Sequence, residues 1–325
     1  MIDDSANRPA VRLSSRQPRS VLLLFVDGVG VGRRDATTNP FARLPQTLLG
    51  RFLDECGDAG SGMGSDVLPG GGGLPFGGRW KPVDATLGVP GLPQSATGQA
   101  TILTGVNVPR EVGGHVAALP DRRVRRVIED ANIFGTLLRA GRRPTFANAY
   151  TRAFFERKRP HISATTRALM AAGLPFRMIE DLEAGRAVYH DYTNRHLPAG
   201  TPPLAPRSAA EAADILIGLA REHDFTLHEH FLTDLAGHRG SEEERTRAAG
   251  RIEDLVLELA QRAPAEDVLF LAVSDHGNLE DSTTRSHTLN PVPLLAWGPG
   301  ADAAIAPVSD LSGVTPAILG LLGAD

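Results

Sequence analysis

Six side chains in this 325-residue sequence could hold divalent cations, and they stand at or just beyond apolar runs: Asp27, Asp234, His238, Asp275, His276 and His287. Carboxylate oxygens and imidazole nitrogens suit Zn or Mn. Six such donors are too many for one open catalytic ion and fit two. Two ions about 3.5–4 Å apart can clamp the attacking and leaving oxygens of an in-line displacement. Each piece alone is ambiguous. An Asp after a strand is often a turn or cap residue, and Asp-x-x-x-His is common in polar loops. The run Asp275-His276-Gly277 is more specific, because two adjacent donors followed by glycine match few structural needs. Ser95 supplies a hydroxyl at the start of a helical segment, where backbone N–H groups favour a developing anion or a bound phosphate. A serine hydroxyl needs a base or a metal before it attacks at neutral pH. Thr97 is the rival nucleophile, and a plain N-cap is the structural alternative for Ser95.

The elements that must bring these groups together are legible as periodicity. Val21 to Val26 is continuously apolar, as a central parallel strand buried on both faces would be. It ends in Asp27-Gly-Val-Gly-Val-Gly32. Ser95 to Gly105 reads as a helix, residues 122 to 140 as a second helical pattern stopped by Gly141, and Thr145 to Tyr150 as a short strand. Ser208 to Glu222 is an amphipathic helix. Phe225 to Thr233 is a strand with Asp234 at its end and His228 and His230 as core histidines. Glu242 to Arg262 is a helix, Val268 to Val273 a buried strand, Pro293 to Trp297 another, and residues 313 to 322 a final helix. Alternation of this kind predicts an α/β fold, a three-layer sandwich with a mostly parallel central sheet and helices on both faces. Ligands in such sheets bind beyond the carboxyl ends of the strands. Residues 1–18 read as a flexible arm, 19–150 and 208–325 as the core, and 151–207 as a small insertion over the active face. The glycine-rich stretch 57–79 reads as a flexible loop or lid, and no Gly-Lys-Ser/Thr follows to make it a phosphate loop.

Composition excludes several classes. Cys56 is the single cysteine, so no internal disulfide or thiolate metal site can form. A formal net charge of −4 argues against nucleic acid as a partner. The first twenty residues carry no apolar signal region, and Val21 to Val26 is far too short to span a bilayer. A cytoplasmic location and no membrane partner are expected. The run Arg122, Arg123, Arg125, Arg126 reads as a solvated helix face.

Five strings together resemble the metalloenzyme branch of the alkaline phosphatase superfamily, which includes cofactor-independent phosphoglycerate mutases and phosphopentomutases. They are Leu-Phe-Val-Asp27-Gly-Val-Gly, Ser95-Ala-Thr-Gly-Gln, Asp234-Leu-Ala-Gly-His238, Ser-Asp275-His276-Gly-Asn-Leu-Glu280 and His287-Thr-Leu-Asn-Pro-Val-Pro293. They occur in the family's order. The resemblance implies an alkaline-phosphatase-like fold and two divalent ions, Mn or Zn. It assigns one ion to Asp27, Asp275, His276 and the Ser95 oxygen, and the other to Asp234, His238 and His287. Ser95 is then the nucleophile, phosphorylated during turnover, and Asn278 and Glu280 orient the ligands. Transfer of the phosphoryl group to water makes a phosphatase; transfer to a second hydroxyl makes a phosphoglycerate or sugar-phosphate mutase. The mutases carry a larger inserted domain, so the short insertion here favours hydrolysis of a small phosphorylated metabolite. Candidate substrate residues are Asn107, His115, Arg152 and Arg157, since arginine recognises phosphate and carboxylate bidentately. A sulfatase would need proline and arginine after its nucleophile, which Ser95-Ala-Thr-Gly-Gln lacks. A nucleotide phosphodiesterase would usually present threonine. A non-enzymatic metal-binding scaffold would have lost a ligand or the nucleophile, and a dehydrogenase would need Gly-x-Gly-x-x-Gly where Gly28-Val-Gly-Val-Gly32 stands.

Overall fold

All seven residues of Ser20–Val26 (β1) are buried, and their side chains alternate between two apolar clusters. The computed structural model describes residues 17–44, 71–158 and 160–324. Cys56, most of the expected N-terminal arm and residues 57–70 of the glycine-rich stretch lie outside the described residues. The remaining strands are β2 (Gly72–Leu74), β3 (Gly78–Val83), β4 (Pro144–Phe146), β5 (Ala149–Tyr150), β6 (Arg177–Met178), β7 (Phe225–His230), β8 (Val268–Ser274) and β9 (Val292–Trp297). One seven-stranded sheet runs in the order β2-β3-β9-β8-β1-β7-β4. The strands β4, β7, β1 and β8 are mutually parallel, and β9, β3 and β2 extend the β8 edge antiparallel.

Helices cover both faces of this sheet. The ones that matter for the site are α1 (Ser95–Thr104), α2 (Ala164–Ala172), α3 (Ala209–Glu222), α4 (Leu232–Arg239) and α5 (Glu242–Arg262). Val21, Leu23 and Phe25 of β1 share a cluster with Ala100 and Leu103 of α1 and with Ala168 and Leu169 of α2. Leu22, Leu24 and Val26 share the opposite cluster with Leu216 of α3 and with Ile252, Leu255 and Leu259 of α5. Burying each such side chain is worth about 1.5–3 kcal/mol, so β1 is fixed from both sides. Both long helices start at a capping box, Ser208 with Glu211 and Ser241 with Glu244, which satisfies orphan backbone donors at each end.

Several boundaries differ from the sequence expectation, each for a local reason. The pattern at 122–140 is two helices, Arg122–Asp130 and Ile133–Arg139. Asn132 separates them: its Oδ1 accepts from Gly135 N at 2.9 Å, and its Nδ2 donates to the Ile128 carbonyl at 2.9 Å. Thr145 to Tyr150 divides between β4 in the main sheet and β5 in a two-stranded sheet with β6. The strand expected to reach Thr233 stops at His230, and Asp234 lies in the first turn of α4. Residues 72–79, expected in a flexible loop, form β2 and the start of β3. Within 151–207, α2 packs into the main core, while Ile179, Leu182, Ala187 and Tyr189 form a small satellite cluster with Ala149. Among the described residues, no helix is long and apolar enough to cross a membrane.

Asn132 is 95% buried and holds both helices of its pair. Asn132→Ala is expected to lower unfolding free energy by about 1–2 kcal/mol. An unchanged urea midpoint would show that the cap contributes nothing.

Candidate metal centre and nucleophile

Parallel register explains why distant residues meet. Val26 of β1 stands level with His230 of β7 and Ser274 of β8. The next residues on these three strands therefore leave the sheet at one edge, and they lead to Asp27, to Asp234 through the start of α4, and to Asp275-His276. Asp27 N donates to the His230 carbonyl at 2.9 Å, which ties the first exit to the second. Asp234 and His238 are one helical turn apart on α4, the spacing that puts two side chains on one face. Gly28 follows Asp27 with φ +73°, and a Cβ there would sit 2.8 Å from the Asp234 backbone. Only glycine lets the two exits approach this closely.

The side chains form two adjoining groups. Asp27 Oδ1 and Asp275 Oδ2 lie 3.3 Å and 3.6 Å from His276 Nε2, and Ser95 Oγ lies 2.9 Å from the same nitrogen. Asp234 Oδ1 lies 3.3 Å from His238 Nε2 and 3.7 Å from His287 Nε2, and the two Nε2 atoms are 3.1 Å apart. The His276 and His287 rings stack at 3.6 Å between centroids and join the groups. Asp27 and Asp275 are nearly or fully buried, as are His276 and His287, while Ser95, Asp234 and His238 are half-buried at the mouth.

Two overlapping groups here could each hold a metal ion, Asp27 with Asp275 and His276, and Asp234 with His276 and His287. His238 Nδ1 faces the Arg285 carbonyl at 2.6 Å, and His287 Nδ1 faces the Pro93 carbonyl at 2.7 Å. A carbonyl only accepts, so each Nδ1 carries the hydrogen and each Nε2 presents a lone pair. A proton on one of the two rings makes the 3.1 Å contact a hydrogen bond, and a cation between them would take its place. Ligands about 2.0–2.1 Å from a tetrahedral ion stand about 3.4 Å apart, which is the spacing of this group. In the other group, Asp27 Oδ1 and Asp275 Oδ2 are buried carboxylate oxygens with no hydrogen-bond partner among the described residues. Burial, reinforced at Asp275 by the Asp27 charge, pushes both carboxyls upward. His276 is raised to about 10, because the Asp275 and Asp27 charges outweigh the opposing effect of burial. His287 is lowered to about 4 by burial and by the charge on His276. Protons therefore occupy the cation-free cluster, and a cation would displace them.

Further residues hold these donors in place. Glu280, almost fully buried, accepts from Gly30 N and Asn278 N at 2.8 Å each, from Thr288 Oγ1 at 2.5 Å and from Asn290 Nδ2 at 2.9 Å. One carboxylate thus joins the loops that carry Asp27, His276 and His287. Asn278 Nδ2 donates to Asp234 Oδ1 at 2.7 Å. Ser274 Oγ accepts from Val29 N at 2.9 Å and donates to the His276 carbonyl at 3.1 Å. Thr233 Oγ1 donates to the Asp27 carbonyl at 2.5 Å.

Sequence reasoning did not single out Ser274, Thr233, Gln99 or Glu229. Glu229 had a visible signal, an acid on a strand otherwise expected to be buried. Its side chain is 93% buried on β7, and burial with the nearby Asp27 charge raises it to about 7. His228, on the other face, bonds Asn148 Oδ1 at 2.8 Å as a core histidine would.

The other predicted residues are placed as follows. Thr97 is fully buried, donates to the Gln94 carbonyl at 3.1 Å and accepts from Val116 N at 3.3 Å, so it cannot serve as the nucleophile. Asn107 lies in the turn before a short helix. Its Oδ1 caps Arg110 N at 3.2 Å and its Nδ2 donates to the Leu87 carbonyl at 2.9 Å, so both ends are used within the turn. Arg152 pairs with Glu180 at 2.8 Å on the exposed surface of 151–207. Arg157 is exposed near Tyr189. His115 bonds the Val89 carbonyl at 3.3 Å and lies against Gly91, on the loop that leads into Ser95. It is the substrate candidate whose contacts adjoin the nucleophile's loop.

Comparison with known proteins adds the following. Residues 185–325 match the metalloenzyme superfamily. A 2,3-bisphosphoglycerate-independent phosphoglycerate mutase of Bacteroides thetaiotaomicron is 32% identical over 124 residues, covering 36% of this chain and 24% of that protein. A phosphoglycerate mutase of the same description from Methanothermobacter thermautotrophicus is 34% identical over 131 residues, covering 38% and 30%. The matched region is thus less than a third of the length of these curated relatives. In fold, the chain is similar to an alkaline phosphatase of Thermus thermophilus, with a TM-score of 0.53 and 13% identity over 100% of this chain and 96% of that one.

Two predictions test the geometry. A Cβ at Gly98 would lie 2.9 Å from the Asp275 carbonyl oxygen, so Gly98→Ala should push α1 away from β8. The overpacking is expected to cost about 1–3 kcal/mol and outweigh the helix-propensity gain of about 1 kcal/mol. An unchanged or raised melting temperature would contradict it. Glu229, raised from 4.5 to about 7, is more strongly protonated in the folded chain. Its favourable contribution is full below about pH 4.5 and is lost as pH rises to about 7. In cation-free protein, Glu229→Gln should shrink the stability drop between pH 5 and pH 8 by about 3 kcal/mol. Parallel profiles for variant and wild type would refute the assignment.

Proposed function

We propose that this chain, a metalloenzyme-branch member of the alkaline phosphatase superfamily, is a two-cation phosphoryl-transfer enzyme that acts on a small phosphate ester through phosphorylated Ser95. The observation that carries the reading is Ser95 Oγ at 2.9 Å from His276 Nε2, at the mouth of two abutting carboxylate–imidazole groups. Asp27, Asp275 and His276 would hold one cation beside Ser95, and Asp234, His238 and His287 would hold the other. Bound there, the cations would supply charge neutralisation on the phosphoryl oxygens and a lowered hydroxyl pKa.

The chain's own residues account for the rest. Ser95 is the first residue of α1, so the free N–H groups of that first turn face an incoming phosphate. Ser95 Oγ gives its proton to solvent and forms a new bond to phosphorus. The bond from phosphorus to the ester oxygen breaks in line, and the leaving oxygen takes a proton from solvent as the alcohol departs. In the second displacement a water loses a proton to solvent as it attacks, the Ser95 O–P bond breaks, Ser95 Oγ regains a proton from solvent, and phosphate departs. His115, which contacts Val89 and Gly91 on the loop that precedes Ser95, is our candidate for contact with the ester. Hydrolysis is the preferred reading because Ser95, Asp234 and His238 are open to solvent. The second reading, transfer to a hydroxyl of the same or a related metabolite, is favoured by the printed names of the curated relatives, all phosphoglycerate mutases.

The test is a screen of phosphate esters with Mn or Zn, following free phosphate and isomerised ester separately. Ser95→Ala should lower turnover at least ~10³-fold while Thr97→Ala lowers it less than ~10-fold. Chelation should abolish turnover, and either cation should restore it. Wild-type rates in Ser95→Ala would end the nucleophile assignment.

A further inference from the structure

We infer that Gln99 is a positioning residue that aims Asp27 at the cation beside Ser95 and locks the nucleophile's helix to that ligand. The inference rests on the reading that the Asp27 group holds a cation. Gln99 is 95% buried on α1, one turn after Ser95, so the two side chains emerge from the same face of the helix. Its Nε2 donates to Asp27 Oδ2 at 3.1 Å. The other oxygen, Asp27 Oδ1, has no well-formed hydrogen bond among the described residues and lies 3.3 Å from His276 Nε2.

A carboxylate has two equivalent oxygens and can rotate to exchange them. The amide hydrogen of Gln99 breaks that equivalence. It engages Oδ2 and leaves Oδ1 directed at Asp275 and His276. The donor is neutral, so it orients the carboxylate without competing with a cation for its charge. Gly98 adds a second constraint, since its missing Cβ lets α1 rest against the Asp275 backbone. Rotation of α1 that moved Ser95 away from His276 would therefore also break the Gln99–Asp27 bond.

The experiment is calorimetric titration of cation-free protein with Mn or Zn, which reads binding without turnover. The event belonging to Asp27, Asp275 and His276 is identified by its loss in Asp275→Asn, and the other by its loss in His238→Ala. Gln99→Met keeps the volume of the side chain and removes the donor. It is expected to weaken the first event about 10- to 100-fold and to change the second less than about threefold. Thermal melting of the cation-free variant checks that it folds. Should Gln99→Met fail that check, the less extended Gln99→Leu is titrated in its place. An unchanged first event, or equal weakening of both events, overturns the inference and leaves phosphoryl transfer standing. Wild-type protein that binds no cation overturns both.

Discussion

Two imidazole rings, each with its hydrogen turned toward a backbone carbonyl, point bare nitrogens at one another across 3.1 Å. Beside them, two buried carboxylate oxygens, Asp27 Oδ1 and Asp275 Oδ2, face only the His276 ring, at 3.3 Å and 3.6 Å. Uncompensated, such a cluster is among the most expensive arrangements a protein interior can hold, because burial and like polarity both act against it. Only added positive charge removes the conflict. Protons can supply some of it, and the upward displacement of Asp27, Asp275 and His276 is the sign that they do so when no cation is bound. Divalent cations supply more charge in a smaller volume and satisfy several donors at once. The surrounding fold can be understood as the structure that keeps these groups from relaxing apart.

That restraint has two layers. Apolar burial on both faces of β1 fixes the strand, and parallel pairing with β7 and β8 fixes where the three chains leave the sheet. This sets positions to within the width of a residue. Finer aim comes from buried hydrogen bonds. Glu280 gathers two backbone N–H groups, a hydroxyl and an amide from three loops, while Asn278, Ser274 and Thr233 each anchor a ligand or its backbone. A fully satisfied carboxylate of this kind is rigid in a way that apolar packing is not, since every lone pair has a direction. The pinned tautomers of His238 and His287 follow the same logic, with carbonyl oxygens deciding which nitrogen faces the site.

Much of this was legible in the sequence because the site sits where apolar runs stop. The runs before Asp27 and before Asp275 are continuous, and their ends mark the sheet edge. Asp234 was legible as a candidate ligand but not as a helical residue, because nothing in Phe225 to Thr233 announces that the strand gives way at His230. Asn132 was hidden inside an unbroken apolar period, and its capping role depends on a bond to Ile128 that only folding creates. For Asn107 and Arg152 residue type alone suggested binding, and their local partners, Leu87 and Arg110 for one and Glu180 for the other, could not be read from the sequence. Gln99 and Glu229 were missed because their importance lies in a neighbour, Asp27, that is distant in sequence.

The choice between water and a second hydroxyl as acceptor turns on what covers the mouth, and the metal edge itself has no part in it. Both outcomes share the same phosphorylated serine and the same cation ligands. A mutase must exclude water for the lifetime of that intermediate while it retains its alcohol. The segment 151–207 is poorly built for such a seal. Its helix α2 is committed to the main core through Ala164, Ala168 and Leu169, Val188 and Tyr192 belong to the core on the other face, and Ile179, Leu182, Ala187 and Tyr189 form a small separate cluster with Ala149. Its Arg152–Glu180 bridge is largely exposed, and surface pairs of that kind contribute at most about 1 kcal/mol. Ser95, Asp234 and His238 meanwhile keep contact with solvent. A phosphoserine in contact with water loses its phosphoryl group to water, and that consideration is what the proposal of hydrolysis rests on.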